Sequence, residues 1–277
     1  FALLIVFSLI IFEKFSRKRT KRWSDNPSNS NSQGWKLTNI RSLVAILISA
    51  FPALFSLGIP LIWVLFNVDQ LKRGLTYELL TLTLRTVLLG LAAALIAIIF
   101  SIVVSFANRW NKSLFMRSIT FASGVGYAIP GTVLAISLLT LINSRFIFLP
   151  IVLLIWGYVD RFLTISKGSL DSGLERISPN IDEAATGLGA NWTKVIKEIH
   201  IPILKGPLFV GTLLVFVDTI KELPLTFLLR PFDFDTLSVR IYQYAGDERM
   251  AEAILPAIMI TILGLIASST LIPTLEH

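Results

Sequence analysis

The chain has 277 residues, 54% of them hydrophobic and 16% charged, with a mean hydropathy of +0.72. A soluble globular domain carries about 25% charged residues, so this composition excludes that class and indicates an integral membrane protein. The net charge of +7 then reads as a topology signal and not as a nucleic-acid surface, because Lys and Arg in membrane chains collect on the cytoplasmic side.

Phe1 to Phe12 is apolar and uncharged, too short to cross a bilayer, which needs about 20 residues. Its basic residues follow it, the reverse of a signal peptide, so residues 1–12 read as the remnant of an upstream transmembrane helix. Residues 13–40 are basic and then rich in Asn and Ser, which is the composition of a flexible cytoplasmic linker. The membrane domain is expected at residues 41–275, and Leu275-Glu276-His277, either native or the stub of a purification tag, is given no weight.

Six apolar runs follow the linker. Ser42 to Val68 is uncharged and contains Pro52 and Pro60, either of which could kink it. Thr86 to Phe106 carries small residues at Ala93 and Ala97, a spacing that admits a close neighbouring helix. Ser118 to Ser144 is interrupted by Gly124, Gly126, Pro130 and Gly131. A broken helix is tolerated at membrane depth where protein or a water path surrounds it, so the run is expected to face the bundle interior; a simple kink is the other reading. Phe146 to Ser166 holds Asp160 and Arg161 near its end, suited to snorkelling or to an interhelical ion pair. Gly206 to Leu229 contains Asp218, Lys221 and Glu222, and Ala253 to Leu275 is the sixth run. The fold expected is therefore all-α, a polytopic bundle of six transmembrane helices.

Charges inside an apolar run are costly and usually face an aqueous interior. Asp218, Lys221 and Glu222 stand at i, i+3 and i+4, near one helix face, with Lys221 able to neutralise one carboxylate and Pro224 opening the backbone just beyond. Together with Gly126 and Pro130 they are candidates to line or gate a translocation path; an ion pair that only holds helices together is the alternative. Alternating the spans and counting Lys and Arg gives seventeen on the side of the linker with Arg41, Ala107–Arg117 and the stretch from Arg161 to Lys205 that holds the coupling loop at 178–206, against seven on the other. That loop is thus cytoplasmic, and Asn67–Arg85 and Arg230–Glu252 are outside.

Within the loop, Asp182 and Glu183 fall where a helix N-terminus favours negative charge, Ala184 and Ala185 keep the surface low, and Gly189 permits a sharp turn. A second amphipathic helix from about Asn191 is expected to stop at Pro202. Glu183-Ala184-Ala185, three residues, Gly189, nine residues, then Ile199-His200-Ile201-Pro202 resembles the coupling loop of binding-protein-dependent ABC transporter permeases. The family's ending is Ile-x-Leu-Pro, and Ile201 is a conservative departure. Lys221 to Leu237, Tyr158 to Phe162 and Asp247-Glu248-Arg249 look like the corresponding segments of ferric-iron permeases, so that the resemblance covers roughly Arg41 to Pro273.

The resemblance implies a permease subunit of an ATP-driven importer that moves ferric iron from a periplasmic binding protein into the cytoplasm, across a bacterial inner membrane. Asp182, Glu183, Ala184, Ala185, Gly189, Ile199 and Pro202 would be the coupling residues for a separate ATPase subunit. It also implies a second permease half, fused upstream or separate. Polyamine, sulfate, molybdate and thiamine permeases share the architecture and remain alternatives. The sequence has no Gly-x-x-x-x-Gly-Lys-Ser/Thr loop, so the ATP would sit on the partner, and no cofactor is expected in this chain. With no cysteine and two histidines no stable metal site is expected either. An intramembrane enzyme is disfavoured because His200 has no obvious partner in the sequence. A channel or secondary transporter would be favoured by internal repeats, and none is evident.

Overall fold

The computed structural model describes residues 37–271 except 39, 67, 69–76, 112 and 141–148. The upstream remnant, nearly all of the linker, Lys112 and Leu275-Glu276-His277 lie outside the described residues. The elements are helices: α1 Ile40–Phe66, α2 Tyr77–Trp110, α3 Leu114–Val125, α4 Gly131–Thr140, α5 Leu149–Leu174, α6 Pro179–Gly187, α7 Trp192–Ile203, α8 Lys205–Ile220, α9 Pro224–Leu229, α10 Leu237–Gly246 and α11 Met250–Ser269. The helices α1, α2 and α11 are long and apolar enough to cross a bilayer, and the bent pairs α3–α4 and α7–α8 raise the number to five. With its 26 residues α5 spans about 39 Å, long enough to be the sixth.

At the centre, α2, α5 and α8 pack against one another. The face of α2 turned inward carries Gly90, Ala93, Ala94 and Ala97, while the long apolar residues Leu84, Leu88, Leu95 and Val103 are exposed. Lipid supplies no hydrophobic drive between helices, so association rests on close backbone approach, and small residues permit it. A Cβ on Gly90 would stand 3.0 Å from Ile220 and Phe216 of α8, which leaves it no room. Polar side chains join the same helices: Ser101 of α2 hydrogen-bonds Ser166 of α5, and Tyr158 of α5 hydrogen-bonds Thr226 of α9. By contrast α1 runs unbroken through Pro52 and Pro60 with no buried residue.

Four of the predicted segments differ from the structure. The run from 118 to 144 is not a kinked helix: α3 closes in a 3₁₀ turn, Gly126–Ala128, and α4 departs at 113°. Ile129 precedes Pro130 and is held extended at ψ 126°, which ends the first helix, and the carbonyl of Pro130 then accepts from Val133 and Leu134 to start the next. The fourth run does not stop at Ser166, and Asp160 and Arg161 lie mid-helix, because Lys167 pairs with Asp171 one turn on and α5 continues to Leu174. The fifth stops at Ile220, since Pro224 has no N–H for the carbonyl four residues back and begins α9 instead. Lys221 and Glu222 therefore lie in a break, outside the helix. Finally, Pro202 does not end α7, which widens into π turns over Val195–His200, relieving the crowding the proline ring imposes, and runs to Ile203.

Candidate functional site

Two places in the bundle combine broken backbone with buried charge. The first is the helical hairpin α6–α7. Ser178 caps α6 through its side chain, Pro179 takes the first helical position, and Asp182 stands in the first turn, as the sequence suggested. The helix ends in a Schellman arrangement: Ala190 N–H donates to the Ala185 carbonyl, Gly189 N–H to that of Thr186, and Gly189 has φ +84°. Asn191 then caps α7 by accepting from the Lys194 N–H at 2.9 Å. The predicted turn is thus present at the predicted glycine.

The seven coupling candidates divide by face. Glu183, Ala184, Gly189 and Pro202 are exposed, Ile199 is half-buried, and Ala185 and Asp182 are buried. Asp182 is thereby corrected as a surface contact: its carboxylate points into the bundle. Leu188, beside the turn, is 89% exposed, and Ile181, Trp192 and Ile203 are exposed along the two arms. An apolar tip at the end of a hairpin is the feature that composition alone did not mark.

Inside the hairpin, Asp182 Oδ2 accepts from Arg109 Nε at 2.6 Å, and Oδ1 meets His200 Nε2 at 2.7 Å. The expectation that His200 stands beside no partner is overturned; the partner is 18 residues away on the other arm of the hairpin. Burial works to raise the Asp182 carboxyl, but hydrogen bonds and charge from Arg109 and then His200 outweigh it and hold the group below the usual carboxylate range. Being ionised, Asp182 can only accept, so His200 Nε2 carries the proton. The stability this carboxylate supplies is complete above its ordinary value of about 4 and is lost as pH falls through the lowered folded value. In detergent melts, the gap in melting temperature between the wild type and Asp182→Asn is therefore expected to be widest above pH 4 and to close below it. A gap that widens on acidification would contradict the ionised assignment.

The second place is the middle of α5, where both breaks meet it. Gly126 lies against the Asp160 carbonyl, and Gly131 lies against Arg161 Nη1 and Glu222. Arg161 Nε faces Glu222 Oε2 at 3.9 Å, and Arg161 Nη1 donates to the Ile129 carbonyl at 3.4 Å. Glu222 Oε1 accepts from the Leu225 N–H at 3.4 Å, at the start of α9. Gly131, which follows Pro130, is thus brought together with Glu222 and Pro224, while Gly126 meets the α5 backbone at Asp160 and Arg161. Asp218 instead pairs with Lys221 at 2.7 Å, and Lys221 is exposed. The three charges do not share one helix face, because Glu222 has left the helix.

At the opposite end from the hairpin, Arg240 pairs with Glu78 and with Asp235, and Arg85 donates to the Asp233 carbonyl at 2.9 Å. Arg109 and the hairpin gather at one end of α2, and Glu78, Arg85 and the 230–240 segment gather at the other.

A helical bundle with centrally broken segments and an end-on hairpin of two short helices is a fold shared with a chain of a solved transporter. The crystal structure of a bacterial ABC transporter involved in the import of the acidic polysaccharide alginate contains a chain that superimposes with a TM-score of 0.53 and 14% identity, covering 85% of this chain and 97% of that one. In sequence the chain is 23% identical over 215 residues to the Fe(3+)-transport system permease protein FbpB 2 of Haemophilus influenzae, covering 76% of this chain. It spans 42% of that relative's length. No family model matches the chain. The resemblance is thus met in sequence by a permease protein of an Fe(3+)-transport system and in fold by a chain of an ABC transporter.

Proposed function

We propose that the chain is the membrane-spanning permease of an ATP-driven importer and that its cargo is ferric iron. The observation that carries the class is the α6–α7 hairpin, which turns at Gly189 and presents Glu183, Ala184 and the exposed Leu188 at one end of the bundle. A low, mostly apolar tip with one carboxylate suits insertion into a cleft of an ATPase subunit. Iron is supported by the similarity to the Haemophilus permease. In this reading the hairpin end lies in the cytoplasm of a bacterium, the 230–240 end receives cargo from a periplasmic binding protein, and a second permease half, fused or separate, completes the path. The charges Asp218, Lys221 and Glu222 and the breaks at Gly126, Pro130 and Pro224 form its gate.

The test is uptake of radioactive ferric citrate into proteoliposomes that hold the complex purified from its own membranes, with and without enclosed ATP. Uptake that requires ATP and is outcompeted by unlabelled ferric citrate supports the proposal. ATP-driven uptake of another solute with none of iron would remove the cargo and keep the class.

Two substitutions probe the docking tip. Glu183→Lys reverses the exposed charge and is expected to lower uptake about tenfold, equivalent to ~1.4 kcal/mol at the contact. Gly189→Val forces a β-branched residue to positive φ and is expected to do the same without preventing membrane insertion. Normal uptake per ATP in both would remove the docking assignment. The sidedness is checked by thiol labelling, because the chain has no cysteine of its own. In intact spheroplasts Phe232→Cys should react with an impermeant maleimide and Leu188→Cys should not; the reverse result would invert the topology.

A further inference from the structure

We infer that Arg109, Asp182 and His200 form a clamp that fixes the docking hairpin to the inner ends of three membrane helices, and that movement at the hairpin reaches the bundle through it. This rests on the permease reading above. Arg109 lies in the last turn of α2. Its Nε donates to Asp182 on α6, its Nη1 to the Leu174 carbonyl at 3.1 Å, and its Nη2 to the Ile177 carbonyl at 3.1 Å and the Ser178 carbonyl at 3.4 Å. One guanidinium thus closes the open carbonyl end of α5 and holds the start of α6. On the other carboxylate oxygen, His200 brings in α7, which leads through Leu204 into α8. The ends of α2 and α5 and the approach to α8 therefore converge on a single carboxylate.

The rest of the junction cannot hold a register alone. The hairpin joins the spans covalently only through the irregular Glu175–Ser178 turn and through Leu204, where a 77° bend separates α7 from α8. Around the clamp, Phe106, Leu170, Leu174, Ile177 and Leu204 form an apolar cluster, and the Phe106 ring meets His200 edge-on at 5.1 Å. Apolar contact is non-directional and tolerates sliding, whereas a buried charge-assisted hydrogen bond has a fixed direction and length. His200 is fully buried and Asp182 is 7% exposed, so sliding that broke these bonds while the cluster stayed closed would strand a charge out of water. The hairpin and the three helix ends are accordingly bound to move as one body. Arg109 and His200 are positioning residues: they hold Asp182, which itself faces away from the docking tip.

The experiment compares His200→Gln with His200→Leu in the complex purified from its own membranes, reading three quantities: ATPase subunit bound, ATP hydrolysed, and ferric citrate taken up per ATP. Glutamine can still donate an N–H to Asp182 and leucine cannot, though both fill the space. The clamp predicts that His200→Leu keeps its ATPase subunit and hydrolyses ATP but takes up at least fivefold less iron per ATP, and that His200→Gln recovers most of that loss. Equal ratios in the two variants, or a leucine variant that couples like the wild type, would overturn it. Asp182→Asn provides a second reading, with hydrolysis retained and uptake per ATP reduced; a normal ratio there would also overturn it. If the wild-type chain brings no ATPase subunit out of the membrane, it is the permease reading that fails.

Discussion

Gly126→Ala is expected to be the most damaging single-methyl change in the membrane domain. A Cβ at this position would stand 2.9 Å from the Asp160 carbonyl carbon and nearer still to its oxygen. The obstacle is backbone in the middle of α5, which no side-chain rotation can clear, so α3 and α5 would have to separate. Overpacking of side chains costs about 1–3 kcal/mol, and a backbone collision should reach the top of that range or exceed it. The measurement is thermal melting in detergent beside Gly124→Ala, where a Cβ meets nothing within 4 Å. A large drop in melting temperature for Gly126→Ala with little change for Gly124→Ala is the expected result. Equal behaviour would show that the close approach at Gly126 is not what holds the break.

Glu222→Ala should be more destabilising than Asp218→Ala, although the two carboxylates are four residues apart. Glu222 is 8% exposed, faces Arg161 and caps α9, and its main-chain carbonyl accepts from Thr226 and Ser238 at 2.7 and 2.9 Å. Removing its carboxylate takes from the half-buried Arg161 the charge it faces and from α9 its cap, a loss of about 2 kcal/mol. Asp218 pairs with the exposed Lys221, and a water-accessible pair of that kind contributes no more than about 1 kcal/mol. Iron uptake separates the roles further: under the proposed gate, Asp218→Asn should lower uptake with the melting temperature nearly unchanged, while Glu222→Gln lowers both. Unchanged uptake in both would remove these residues from the path.

Local chemistry made much of the architecture legible. Apolar runs gave the helices, Ala93 and Ala97 gave the packed face of α2, and Gly189 gave the turn, because each depends on residues within a turn or two of one another. What stayed hidden depends on distance in sequence. Asp182 looks like a docking residue until Arg109, 73 positions earlier, draws it inward. Glu222 looks like a neighbour of Lys221 until Pro224 ends the helix and turns it to Arg161. The burial of Asp182 and Ala185 at i, i+3 is a pattern that a helical wheel could have offered, but the partner of that face could not be read from it. The apolar run read from the sequence ends at Ser166, whereas α5 continues to Leu174 through Lys167 and Asp171, which pair one turn apart within the helix.

Arg109 also has a history during synthesis. It leaves the ribosome 73 residues before the aspartate that will bind it, and until Leu174, Ile177 and Ser178 and then Asp182 follow, its charge is met by water and lipid headgroups. On the proposed topology it meanwhile anchors the end of α2 on the cytoplasmic face and so orients the first long hairpin of spans. Only when the chain beyond residue 182 emerges does the same guanidinium change occupation, from a retention signal read by the membrane to an internal bond read by the protein. The inner end of the bundle is consequently assembled late, after its orientation has already been decided.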